Sequence, residues 1–161
     1  MNAKRQALVL GLVILFSLVP MALPDTALSE IKLISGQTVY VPAYSFIFYG
    51  DRQRPFDLTV TLSIRNTDLT HPITLLSIEY YNSDGKLVKK YLDGQTKLEP
   101  LASKHSIIEE SDKSGGVGAS FIVKWKSDAK VTEPLIETVM ISTVSQQGLS
   151  FTSRGRAIEE E

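Results

Sequence analysis

The chain contains no cysteine and only two histidines among 161 residues. The first absence excludes a disulfide framework and a lipid-modified cysteine, so stability has to come from a packed core. It also excludes a blue-copper centre, which needs two histidines and a thiolate. The second absence leaves little for zinc, because His71 and His105 lie in different segments and no His-x-His or His-x-x-x-His spacing starts a site. An excess of charge of one sign is missing too. With 17 basic and 18 acidic residues the net charge is −1, and the basic residues are scattered along the chain, which argues against a nucleic-acid footprint. No G-x-S-x-G elbow and no G-x-x-x-x-G-K-[ST] loop occurs, and helical periodicity is nearly absent.

What is present begins with an apolar run. Lys4 and Arg5 precede an uncharged stretch from Ala7 to about Leu23, followed by Pro24 and Asp25, the layout of an export signal. The run is slightly long for a signal core and slightly short for a spanning helix of roughly 20 residues, so residues 1–27 read as a signal peptide or an N-terminal membrane anchor helix. Cleavage is expected near Ala22 or Ala27, although Pro20 and Asp25 spoil a clean small-x-small pattern at either. Removing Lys4, Arg5 and Asp25 with the signal leaves a net charge near −2. Residues 28–161 then form one domain, with 43% hydrophobic residues in the whole chain to supply a core.

The rest of the sequence reads as strands and turns. In "FDLTVTLSIRN", Phe56, Leu58, Val60, Leu62 and Ile64 alternate strictly with polar residues, which predicts one buried and one wet face. "ITLLSIEYY" and "KLVKKYL" flank "NSDG" at Asn82 to Gly85, an Asp-Gly signal for an antiparallel hairpin. "HSIIEE" predicts a short strand, and "ASFIVKW" places Phe121, Val123 and Trp125 on one face. "IETVMISTVS" and "LSFTSRGRAI" are joined by "QQG", a second hairpin with Gly148 free to take a positive φ. "TVYVPAYSFIFYG" supplies one or two strands that Pro42 should confine to an edge or a break. Seven to nine short strands predict an all-β fold, a single antiparallel β-sandwich of immunoglobulin-like form.

Three stretches invite a chemical reading. "ESDKSGGVGASFIVKW" has three glycines, but they feed a strand, whereas a phosphate cradle needs glycines that open a helix. Glu109, Glu110 and Asp112 ahead of them offer hard oxygen ligands for a divalent cation such as calcium, against the simpler reading of a solvated connecting turn. "YSFIFYGDRQRPF" sets Tyr44, Phe46, Phe48 and Tyr49 beside Arg52 and Arg54, and "SQQGLSFTSRGR" gathers Gln146, Gln147, Arg154 and Arg156. Arg and aromatic side chains are enriched in interface anchors, so Arg52, Arg54, Gln146, Gln147 and Arg154 are the candidate partner contacts. The competing expectation is that the aromatics are core and the arginines pair with Asp57, Asp68 or the terminal glutamates. His71, before Pro72, is expected to support a turn.

The ordered series "VYVPAYSFIFYGDRQRPFDLTVTLSIRNTD", "HPITLLSIEYYNSDGKLVKKYL", "EESDKSGGVGASFIVKW" and "SQQGLSFTSRG" resembles a family of small exported bacterial proteins known as a domain of unknown function, over roughly residues 36 to 158. The resemblance implies an exported bacterial protein and brings no reaction, ligand or catalytic residue with it. The expectation is therefore a non-catalytic binding or accessory module, periplasmic or extracellular, without cofactor. Its partner would be an envelope protein or glycan, and its only membrane contact the N-terminal segment. The alternative is a cation-binding sandwich with its site at Glu109, Glu110 and Asp112.

Overall fold

Strict alternation makes Thr59–Arg65 a strand with one apolar face: Val60, Leu62 and Ile64 are fully buried, while Arg65 is exposed. In a computed structural model that describes residues 31–143 and 148–161, this is the fourth of twelve strands, and no helix occurs among those residues. Residues 1–27, expected to form a signal or anchor, and the pair Gln146 and Gln147 lie outside the described residues.

The strands build two larger antiparallel sheets and one small hairpin. The first sheet runs β12 (Arg156–Glu160), β1 (Leu33–Ala43), β9 (Ala119–Thr132), β5 (Ile73–Tyr81), β6 (Leu87–Lys90), with β7 (Thr96–Leu98) also on β5. The second runs β11 (Leu149–Arg154), β10 (Leu135–Ser142), β4 (Thr59–Arg65), β8 (Ser103–Ile108). The hairpin is β2 (Phe46–Tyr49) with β3 (Arg54–Asp57). Inward residues of both large sheets meet in one apolar cluster, among them Val39, Val41, Leu62, Ile64, Leu75, Tyr80, Phe121, Val123, Trp125 and Met140. Each such side chain contributes roughly 1.5–3 kcal/mol by leaving water. Phe121, Val123 and Trp125 face this core as their spacing predicts.

Two local expectations change, and one, the "NSDG" hairpin, holds with added detail. First, β1 is an interior strand, paired with β12 on one side and β9 on the other. Pro42 is tolerated because the β12 pairing covers only Gln37 to Tyr40, so residue 42 lies past its end. The Pro42 carbonyl accepts from Thr138 Oγ1 at 2.6 Å, so that side of the residue faces β10 and the missing N–H breaks no ladder. Second, the "NSDG" hairpin is closed by Gly85 N–H donating to the Asn82 carbonyl, with Gly85 at φ +72° after the turn and a register shift beyond it. Gly85 is thus the left-handed residue of a turn plus bulge, and Asn82 Oδ1 holds the turn by accepting from the Asp84 and Lys86 amides. Third, "LSFTSRGRAI" is two strands. At Gly155 the chain leaves the β10 ladder and joins the edge of the other sheet at β1, so one extended stretch serves both.

Candidate functional site

The β2–β3 hairpin stands apart from both large sheets. Ile47 and Phe56 are half-buried at its base and pack on the core, while every residue from Phe48 to Pro55 is exposed. Phe48 and Tyr49 are 53% and 51% exposed, a costly arrangement for two neighbouring aromatics. Edge-on ring contacts, Phe46 with Phe48 at 5.4 Å and Tyr49 with Phe56 at 5.9 Å, stiffen the element from within. Its four-residue turn is closed by Gln53 N–H on the Gly50 carbonyl and carries Asp51 and Arg52, while Arg54 sits opposite Tyr49 in the ladder. Tyr49, Gly50, Asp51, Arg52 and Arg54 line a depression of about 270 Å³.

The expected arginine pairings are not made. Among the described residues Asp57 pairs with Lys113, Asp68 with His71, and Glu160 with Lys32, while Glu159 accepts from Thr38. No arginine takes part in an ion pair among those residues, so Arg52, Arg54, Arg154 and Arg156 keep their charges for solvent or a partner. Arg154, at the end of β11, lines a different depression, with Glu133, Pro134, Gly155 and Arg156. The two halves of the expected contact surface therefore share no lining residue.

The glycine stretch packs against the turn at Asn82 to Gly85. A Cβ at Gly115 would overlap the Tyr80 hydroxyl, which itself shares a 2.9 Å hydrogen bond with Ser45 Oγ. Ser83 N–H and Ser83 Oγ both donate to the Gly115 carbonyl, and Gly118 N–H donates to Ser83 Oγ. The glycines are there to let the loop close over Tyr80 and Ser83. Of the candidate cation ligands, Glu109 and Glu110 are exposed, and Asp112 accepts from both the hydroxyl and the amide of Ser114, at 2.5 and 2.9 Å. These bonds, the hydroxyl's first, hold the Asp112 carboxyl below its ordinary value. Among the described residues no group of three or more His, Asp or Glu side chains is arranged to hold a metal ion.

Sequence reasoning missed a polar clasp at the other end of β1. Asp68 Oδ1 accepts the amides of Thr70 and His71 at 2.9 and 2.8 Å, and Oδ2 accepts Thr132 N–H at 3.2 Å. Asn66 Nδ2 donates to the carbonyls of His71, Leu98 and Glu99. The amides, Thr70 first and His71 next, push the Asp68 carboxyl far below the ordinary carboxylate range. The run Asn-Thr-Asp was the available signal, since short Asx side chains hydrogen-bond backbone two residues on. His71, beside it, has a half-exposed ring and supports the turn. His105 lies on the outer face of β8 in a shallow depression with Thr61, Ser63, Arg65 and Lys104, and no carboxylate lines it.

A crystal structure of a Thermotoga maritima protein aligns with 12% identity and a TM-score of 0.45, over 80% of this chain and 97% of that one. None of the curated proteins matches the chain. A family model does match, over residues 36–158, and the chain belongs to that family, described as a protein of unknown function (DUF3124).

Proposed function

We propose that this protein is an exported, non-catalytic binding module of the bacterial cell envelope, an immunoglobulin-like sandwich that uses the β2–β3 hairpin as its contact element. The observation that carries this reading is the hairpin tip, where Phe48 and Tyr49 stand in solvent beside Arg52 and Arg54, and neither arginine has an ion-pair partner among the described residues. Aromatic faces and guanidinium groups are the side chains that anchor interfaces, and they suit either an envelope protein or a glycan. Two antiparallel sheets around one core support the sandwich form. The apolar run from Ala7 to about Leu23 supports export to the periplasm or beyond, with the domain released or held by that segment.

The test is charge reversal, Arg52→Glu with Arg54→Glu. Capture of a partner from envelope extract should fall strongly while the melting temperature changes by no more than a few degrees, because exposed substitutions cost less than about 0.5 kcal/mol each. Digesting the extract with protease or with glycan hydrolases tells a protein partner from a polysaccharide. Capture that survives the reversal removes the hairpin from the site. The alternative, a divalent-cation site at Glu109, Glu110 and Asp112, predicts instead a melting temperature that rises with millimolar calcium and falls with chelator.

A further inference from the structure

At Gly155 the last extended stretch passes from one sheet to the other, and the passage leaves a depression of about 260 Å³ at the seam. Its walls are Glu133, Pro134 and Ile136 leading into β10 on one side, and Arg154 to Ala157 with Val39 on the other. The approach is close. A Cβ at residue 155 would lie 2.7 Å from Val39 Cγ1 and 3.0 Å from the Ile136 carbonyl, and Gly155 N–H donates to that carbonyl at 2.8 Å. The backbone donor is therefore spent, and the ligand-binding capacity of the seam lies in its side chains.

Those side chains are two arginines and one glutamate. Arg154 and Arg156 flank the crossing residue, line the same depression and have no ion-pair partner among the described residues, although Glu137 stands opposite Arg154 in the β10 ladder. Glu133 Oε1 is occupied by the Nε2 donor of buried Gln37 at 3.2 Å. Val39, Pro134, Ile136 and Ala157 complete the lining, and the two arginines themselves are exposed.

We infer that this seam is a binding site for a carboxylate, held between the guanidinium groups of Arg154 and Arg156. Guanidinium matches a carboxylate bidentately, and two of them against one glutamate leave a single net positive charge. A monoanion matches that charge, whereas a phosphate dianion meets repulsion from Glu133. The carboxylate comes either from a free small acid or from a peptide.

Titration of the full-length chain at low salt with acetate, with lactate, with a short peptide bearing a free C-terminus, and with inorganic phosphate separates these cases. The readout is the amide resonances of Glu133, Leu135, Ile136 and residues 154–157. The expected result is saturable shifts with the carboxylates, weaker ones with phosphate, and a loss of affinity of about tenfold for each of Arg154→Gln and Arg156→Gln. Lactate or the peptide binding more tightly than acetate identifies the source. Glu133→Gln keeps an acceptor for Gln37 and should move the preference toward phosphate. No saturable shift with any carboxylate, unchanged titrations in the folded arginine variants, or phosphate as the strongest ligand of the parent protein would overturn the assignment. The site is independent of the hairpin, so Arg52→Glu with Arg54→Glu leaves these titrations unchanged whatever becomes of partner capture.

Discussion

Asp68 shows how one side chain can set an acid limit. Its carboxylate accepts three backbone amides from two separate segments, and these bonds are strongest while the group is ionised. A folded-state value far below the ordinary 3.8 means that the charged form is stabilised by folding. The contribution is fully present above about pH 4 and is lost as pH falls from there toward the depressed folded value. Asp68→Asn should therefore lower the melting temperature at pH 7, and the gap to wild type should shrink as the pH is taken from 4 to 2. A gap that stays constant across that range would assign the loss to shape instead of charge. The polar run was legible in the sequence, but its reach to Thr132 was not, because that contact spans 64 residues.

At the scale of elements, the alternation of apolar residues locates β4, β5 and β9, and the hairpin at Asn82 follows from its turn residues. Alternation does not say where one strand ends and its continuation joins another sheet. "LSFTSRGRAI" keeps a strand-like pattern through Gly155, and only the approach of Val39 and the Ile136 carbonyl marks the crossing. Gly155→Ala should cost about 1–3 kcal/mol through overpacking against backbone, measured by denaturant titration. The same reasoning explains Pro42: a proline signals a missing donor, and whether that donor was needed depends on how far the neighbouring strand extends.

At the scale of the whole molecule, the first and last strands are neighbours. β12 covers the outer edge of β1, with Gln37 opposite Glu160 and Tyr40 opposite Arg156, and the C-terminal Glu161 amide donates to the Gly36 carbonyl. Its acidic residues guard the edge that remains, since charge on an edge strand discourages pairing with another chain. Ending the chain after Gly155 should lower the melting temperature and produce concentration-dependent association by sedimentation, because β1 then offers an unpaired edge. A truncated chain that stays monomeric at the same melting temperature would show that β12 is dispensable. The pairing makes the terminal glutamates, expected from sequence as partners for arginines, part of a structural strand.

The sequence by itself determined the all-β class, the buried face of each strong strand and membership of the family, because those follow from local periodicity and ordered motifs. The tertiary structure alone decided that the arginines of the hairpin and of the crossing have no ion-pair partners among the described residues. It also decided that Arg154 and Arg156 share a seam with Glu133 and that the glycine stretch closes over Tyr80 and Ser83. The reason is physical: a strand's faces are set by neighbours two residues away, whereas a site is set by which distant segments the core brings within a few ångströms of one another.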